Sequence, residues 1–434
     1  MSALIPQLET KSLQEIEQFQ EKKLHDLLFY VSTHSKFYQS RFKEKNIDIL
    51  TIKTLSDLQN IPVTTKDDLY NSNNDFICVT PDKIIDYVTT SGTLGDPLTF
   101  VLTDKDLERL AYNEHISLAC AGGTKNDIYQ LMTTIDRRFM AGMAYFLGLK
   151  QMGAGVVRVG NGMPEFQWDT IKRLKPTIAI AVPSFLLKLI EFAEQNNIDY
   201  KNSSIKKVVC IGEPIRNEDF SYNTLGKRIT DKWPLQLFST YASTEMGAAF
   251  TECDAGKGGH HHPELLIVEF LDDNNVPVND GEAGELTVTT LDVEGMPLIR
   301  FKTGDICKAH YQKCSCGRTT MRISPILGRK QQMIKFKGTS LYPPALYDIL
   351  NTVPYIKNFI IEVYTNDIGT DEIVINIGAV NPPENFEKEL KDHFRAKLRV
   401  APTIVLENPE TISKRQNTEM SRKPITFIDR RNKL

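Results

Sequence analysis

The run Ile178-Ala179-Ile180-Ala181-Val182 is followed by the helix-patterned stretch from Phe185 to Glu194, and then by Lys207-Val208-Val209-Cys210-Ile211. Two short β-branched runs separated by a helical segment predict a strand–helix–strand unit with parallel strands. Strand–helix alternation extends outward from this unit to about residue 330 and predicts an α/β body. At its start, Leu13, Ile16, Phe19, Leu24, Leu27, Leu28 and Val31 recur at helical spacing, which predicts an amphipathic helix over 12–31. After residue 262 strands follow without helices: 265–271, 285–290 and 298–301, separated by Gly and Asp turns. These predict a small antiparallel β subdomain. Beyond 330, helical 345–351 and 386–398 alternate with strands 359–364 and 372–377, the pattern of a compact α+β domain of about a hundred residues. The fold expected is therefore α/β. A large N-terminal body (1–330) with parallel-type sheets would carry the antiparallel subdomain (about 250–325), beside a smaller, mobile α+β C-terminal domain (331–434).

Composition narrows the function classes. A chain of 434 residues is about three domains by length. It is 41 % hydrophobic and 25 % charged, enough apolar material for a large core, which excludes wholesale disorder. Fifty-two basic against 55 acidic side chains leave a net charge of −3, so the chain lacks the basic surplus of a nucleic-acid binder. The first residues show no basic-then-apolar leader pattern. The most apolar stretch, 178–190, is broken by Pro183 and Lys188 and is too short to cross a bilayer. A cytoplasmic protein with no membrane and no nucleic-acid partner is expected. Seven cysteines do not make a secreted disulfide framework. Cys78, Cys120, Cys210 and Cys307 sit in hydrophobic surroundings and read as buried small side chains. Cys253, Cys314 and Cys316 lie in polar, turn-like sequence.

Three stretches carry residues suited to nucleotide chemistry. Thr89-Thr90-Ser91-Gly92-Thr93-Leu94-Gly95-Asp96-Pro97 follows a strand-like run and offers hydroxyls and unhindered backbone N–H groups, which suit polyphosphate. No Gly-Lys-Ser/Thr follows, so it is not a Walker loop, and such a cluster also reads as a strand-to-strand turn. In Tyr241-Ala242-Ser243-Thr244-Glu245 the ring suits a base, Thr244 a phosphate and Glu245 Mg²⁺, or the run is a strand end before a helix cap. In Thr303-Gly304-Asp305 the carboxylate suits ribose hydroxyls, or it is a turn residue.

The order of these stretches, with Gly212-Glu213-Pro214 between the first two and Gly328-Arg329 after the last, resembles the adenylate-forming enzyme superfamily. Within it the chain is most similar to the phenylacetate–CoA ligase family. Ile61-Pro62-Val63-Thr64-Thr65-Lys66-Asp67-Asp68-Leu69, Glu294-Gly295-Met296-Pro297-Leu298-Ile299-Arg300, Cys314-Ser315-Cys316-Gly317-Arg318-Thr319 and Gly338-Thr339-Ser340-Leu341-Tyr342-Pro343 agree as well. The resemblance runs from about residue 15 to Arg431.

It implies an AMP-forming acyl-CoA ligase that adenylates an aromatic or similar small carboxylic acid with ATP and hands the acyl group to coenzyme A. Ser91, Gly92, Thr93 and Gly95 would embrace the β- and γ-phosphates. Gly212, Glu213 and Pro214 would line the adenine pocket, with Tyr241 against the ring and Ala242 and Ser243 beside it. Thr244 would touch the α-phosphate, Glu245 would ligate Mg²⁺, and Asp305, helped by Arg329 and Ile326, would hold the ribose. Lys423 stands where the family keeps its catalytic lysine. Gln331 lies at the hinge expected to swing the small domain, and the Gly338 segment would reach the CoA tunnel. Phe139, Ala141, Gly142 and Tyr145 match the acyl pocket, although the same residues read as a core helix. Cys253, His260, Cys314 and Cys316 match a ligand set for one structural Zn²⁺, whereas spacing alone leaves them equally well as free thiols beside a histidine cluster. His261 and His262 stand off the family's ligand position. Leu94, Asp96, Arg422 and Gln331 depart from the family pattern. Two alternatives stay open: a stand-alone enzyme loading a carrier-protein phosphopantetheine, and a nucleotide-binding relative without turnover. A homodimer is a further expected partnership.

Overall fold

The computed structural model describes residues 4–90, 98–336, 339–366, 370–417 and 424–431. The chain divides into two compact units, Met1–Tyr222 with Gly226–Pro325, and Asn223–Leu225 with Ile326–Leu434.

In the first unit, helix α1 (Leu13–His34) opens on a capping box in which Ser12 and Glu15 satisfy each other's backbone N–H groups. It buries Ile16, Leu24, Leu27, Leu28 and Val31, while Leu13 stays exposed in its first turn. Short helices α2 (Lys36–Glu44) and α3 (Lys66–Ser72) follow. Strands β1 (Asp86–Thr89) and β2 (Thr99–Leu102) form an antiparallel pair of their own, and helix α4 (Asp104–Cys120) comes next.

The alternation then unfolds as the sequence predicts. Strand β3 (Ile128–Leu131) leads to helix α5 (Met140–Met152), β4 (Gly155–Arg158) to α6 (Pro164–Leu174), and β5 (Ile178–Ala181) to α7 (Pro183–Gln195). Strand β6 (Lys207–Cys210) and helix α8 (Thr224–Lys232) precede β7 (Gln236–Ser243). Strands β4, β3, β5, β6 and β7 pair parallel in that order. All four residues of β5 are buried, as a parallel strand covered on both faces requires. Pro183 starts α7 at the position where its missing N–H costs nothing.

The antiparallel region is present as expected, with two details of its own. First, it continues the parallel sheet: β7 pairs antiparallel with β8 (Ala248–Thr251), and β8 with β9 (Gly259–His260). Beyond these come β13, β12, β11 and β10, all antiparallel, spanning Arg322–Ile323, Phe301–His310, Ala283–Thr290 and Leu266–Leu271. Secondly, the strand expected over 298–301 begins only at Phe301 and runs ten residues, alternating buried and half-buried side chains. Leu298 and Ile299 are buried outside any strand, and Arg300, at φ 47°, turns the chain into it.

The second unit contains the short strands β14 (Gly328–Arg329), β15 (Ile334–Phe336) and β16 (Thr339–Leu341), then helix α9 (Pro343–Thr352). Its main sheet has the order β19 (Thr403–Glu407), β18 (Asp371–Ala379), β17 (Ile356–Thr365), β20 (Phe427–Asp429). Helices α10 (Phe386–Leu398) and α11 (Pro409–Gln416) complete it. Leu346, Ile361, Ile375, Leu390 and Phe394 form its own buried core. No helix among the described residues is long and apolar enough to cross a membrane.

Candidate nucleotide site and cysteine centre

In sheets of this kind ligands gather where parallel strands end; of the three sequence-selected stretches Gly212-Glu213-Pro214 leaves such an end, while Tyr241–Ser243 close β7 and Asp305 lies within β12. Gly212-Glu213-Pro214 follows β6, with Gly212 in the left-handed region at φ 77°. The Glu213 carboxylate accepts hydrogen bonds from the Ser184 backbone N–H and hydroxyl, both at 2.8 Å, at the start of α7. It thereby caps that helix and complements its dipole. Gly212 and Pro214 are exposed.

Tyr241, Ala242 and Ser243 lie within β7 rather than after it, and no helix follows. Thr244 to Gly247 form a turn back into β8. Thr244 and Glu245 are half-buried at its tip. The turn is held from both sides: Met246 N–H donates to Ser243 Oγ at 3.3 Å, and the Gly247 carbonyl accepts from Arg109 at 2.6 Å. Arg109, buried on α4, also donates to the carbonyls of Leu291 and Leu265 at 2.7 and 2.8 Å. Burial pushes its guanidinium down to about 10. Nothing in the polar run around Arg109 distinguishes this brace from a solvated helix face.

Asp305 enters from β12, directly after Gly304 at φ 81°. The Tyr241 hydroxyl donates to its Oδ2 at 2.7 Å, and its own N–H donates to Thr303 Oγ1 at 3.1 Å. Burial, then the adjoining carboxylate, raises the Tyr241 phenol well above its ordinary range, so it remains a donor. Tyr241 and Asp305, 64 residues apart, thus form one joined surface beside the exposed ends of β6 and β7.

Of the acyl-pocket set, Phe139 precedes α5 and Ala141, Gly142 and Tyr145 lie in its first two turns. Gly142 has no room for a side chain, since a Cβ would fall 2.2 Å from the Thr134 carbonyl oxygen. Tyr145 is buried, and its phenol is raised by burial and then by Glu114 of α4. Arg137 and Arg138, both at positive φ (58° and 57°), are exposed just before this helix. Ile326, Arg329 and Gln331 belong to the second unit, where the Gln331 carbonyl, in a 3₁₀ turn over Lys330–Gln332, accepts from Arg431 at 3.1 Å. Ser91, Gly92, Thr93, Gly95, Gly338 and Lys423 lie outside the described residues.

The cysteine set converges. Cys253 follows β8, His260 is in β9, and Cys314 and Cys316 lie in the turn between β12 and β13. Their ligand atoms all lie within 4.8 Å of one another. Cys253 Sγ is 3.6 Å from Cys314 Sγ, and Cys316 Sγ is 3.6 Å from His260 Nε2. Zinc–sulfur and zinc–nitrogen bonds of about 2.3 and 2.0 Å in a tetrahedron give edges of about 3.5–3.8 Å, so the donor set fits Zn²⁺. The Cys314–Gly317 turn is closed by Gly317 N–H to the Cys314 carbonyl at 3.1 Å, with Gly317 at φ 98°. Hydrogen bonding from Cys253, and then from His260 and Arg318, holds the Cys316 thiol far below its usual range, toward thiolate. The neighbouring histidines are committed elsewhere. His261 Nε2 meets the Leu266 carbonyl at 2.7 Å, and His262 is hydrogen-bonded to Glu9 and to Ser117 Oγ.

Residues 7–293 match the model of the AMP-binding enzyme family, and the chain belongs to that family. The chain is 28 % identical over 382 residues to a phenylacetate-coenzyme A ligase of Thermus thermophilus, covering 87 % of this chain and 84 % of that one. It is 28 % identical over 350 residues to the Escherichia coli enzyme of the same name, covering 78 % and 77 %. A crystal structure of 2-hydroxyisobutyryl-CoA ligase in the postadenylation state shares the fold, with a TM-score of 0.85 and 21 % identity over 99 % of this chain and 94 % of that one.

Proposed function

We propose that this protein is an AMP-forming acid–thiol ligase of the phenylacetate–CoA ligase kind, acting on an aromatic or similar small carboxylic acid. The observation that carries the reading is the Tyr241–Asp305 pair at the open ends of β6 and β7, with Glu245 in the adjoining turn, in a chain of the AMP-binding family.

In the first step a carboxylate oxygen of the acid bonds to the α-phosphorus of ATP, and the bond to pyrophosphate breaks. Two anions must approach, so the protein has to place positive charge and donors in advance. Tyr241 and the Gly212–Pro214 stretch would flank adenine, and Asp305 would accept from the ribose hydroxyls. Ile326 and Arg329 would assist there. Ser91, Gly92, Thr93 and Gly95 would donate to the outer phosphates, with Thr244, next to Ala242 and Ser243, on the α-phosphate. Glu245 would hold Mg²⁺, which when bound neutralises phosphate charge. Lys423 would bring its ammonium to the developing charge. In the second step the thiol sulfur of coenzyme A attacks the acyl carbon, the thiol proton is lost, and AMP leaves. The second unit, turning about Gln331, would withdraw Lys423 and present the Gly338 segment to the thiol. Phe139, Ala141, Gly142 and Tyr145 would bound the acyl group. Cys253, His260, Cys314 and Cys316 would hold one Zn²⁺, a closed four-ligand set suited to a structural role.

The test is pyrophosphate release across a panel of aromatic and short carboxylic acids, with and without CoA, followed by product analysis. Acyl-CoA and AMP in equal amounts are expected, with Lys423→Ala abolishing release. Release that needs a carrier protein instead of CoA would move the acceptor. No release by folded protein that binds ATP would remove the ligase reading.

A further inference from the structure

The N-terminal segment reaches across the first unit to the cysteine centre. The Glu9 side chain is fully buried, and its carboxylate is hydrogen-bonded to His262 on one oxygen and ion-paired to Arg318 Nε on the other. Arg318 is itself buried, and its Nη1 lies 3.5 Å from Cys316 Sγ. The segment's backbone joins the same turn. Thr319 N–H donates to the Glu9 carbonyl at 2.8 Å, and its hydroxyl contacts the carbonyls of Glu9 and Lys11 at 3.1 and 2.6 Å. On the far side, His262 Nε2 meets Ser117 Oγ at 3.1 Å. Two buried side chains, His262 and Arg318, are thus withdrawn from water around a single carboxylate, an arrangement too costly to persist unless each is paired.

Thiolates bound to a metal are commonly oriented by donors behind them, and those donors by their own partners. We propose that Glu9 and Arg318 are positioning residues for the metal centre, so that the N-terminal segment and the Cys314–Thr319 turn dock as one unit with the bound ion. The proposal rests on the reading of the four residues as a Zn²⁺ site. Arg318 would fix the Cys316 sulfur by donating to it, and Glu9 would fix Arg318. Occupancy would then be communicated to residues 4–11, which supply no ligand.

The test uses the full-length protein loaded with Zn²⁺ alone, titrated against a chromophoric chelator, together with hydrogen exchange of residues 4–11 and of the Thr319 amide. Glu9→Gln and Arg318→Met are expected to weaken Zn²⁺ binding by about 10–100-fold. Arg318→Lys, which keeps a donor, should recover part of that loss. Removing Zn²⁺ from the wild-type protein should raise exchange at Thr319 and over 4–11. If Glu9→Gln does not fold, the wild-type exchange experiment still decides. Unchanged affinity in folded variants, or exchange over 4–11 indifferent to the metal, would overturn the proposal while leaving the zinc site standing. Wild-type protein that takes up no Zn²⁺ would remove both.

Discussion

The Tyr241 phenol and the Asp305 carboxylate meet at 2.7 Å although one lies on a strand of the parallel half of the sheet and the other on a strand of the antiparallel half. The hydrogen bond aims the carboxylate and shows how a continuous sheet can carry one site. Asp305→Ala is expected to weaken ATP binding by about 10–100-fold, the loss of hydrogen bonds to a charged group. Tyr241→Phe should cost less, about 0.5–1.5 kcal/mol. Calorimetry with ATP on both variants and on the double variant checks this. Wild-type affinity in Asp305→Ala would break the assignment of ribose to this carboxylate.

Glu114 gives a pH signature. It is buried on α4, with Asn113 Nδ2 donating to it at 3.0 Å, and burial pushes its carboxyl up to about 8. Between the ordinary value of 4.5 and about 8 the folded protein keeps a proton that the unfolded chain has lost. Its contribution to stability is therefore fully present below pH 4.5 and fades as pH rises toward 8. Glu114→Gln should match the wild type near pH 5 and exceed it near pH 8 by on the order of a few kcal/mol. Urea unfolding at the two pH values measures the difference. Parallel pH dependence in both proteins would contradict it.

Removal of zinc should lower stability. A ligand at a thousand times its dissociation constant adds about 4 kcal/mol to the folded state, provided the unfolded chain does not bind it. Chelated protein should melt at lower temperature, readdition of Zn²⁺ should restore the melting point, and Cys314→Ser should abolish the response. Elemental analysis should find about one zinc per chain in untreated protein. A melting curve unmoved by chelation would count against a structural ion.

Arg109 satisfies three carbonyls from three segments, those of Leu291 and Leu265 buried and that of Gly247 half-buried. Arg109→Met should destabilise the protein by on the order of 3 kcal/mol or more, because those oxygens would lose their donors. The displaced Gly247 carbonyl should also loosen the Thr244–Gly247 turn and weaken Mg²⁺-dependent ATP binding. Denaturant midpoints and ATP titrations test the two effects separately, and an unchanged midpoint would show that water replaces the guanidinium.

What the sequence disclosed follows periodicity. Strands β5 and β6 and helix α10 are found where β-branched runs and helical spacing place them, because those patterns record burial directly. Pairing leaves no such record. The antiparallel strands read as a subdomain of the large body, but periodicity does not reveal that β7 and β8 join them to the parallel half. The extension of β7 through Tyr241 to Ser243 was hidden for a related reason: hydroxyls on a strand look like a turn until a partner strand is known. At the cysteine centre, the resemblance selected His260 over His261 and His262. In the structure His261 and His262 are each hydrogen-bonded elsewhere, to the Leu266 carbonyl and to Glu9. Arg109, Ser184 and Glu9 act on sites distant in sequence, and none belongs to a local pattern that would mark it.

Glu9 and Arg318 are separated by 309 residues. At the usual pace of translation, roughly 5–20 residues per second, the first of the pair waits about 15–60 s on the ribosome before the second exists. For that interval the carboxylate lacks the guanidinium that pairs with it in the folded unit. The beginning of this chain therefore belongs among the last parts to settle, and its burial marks the completion of the first unit.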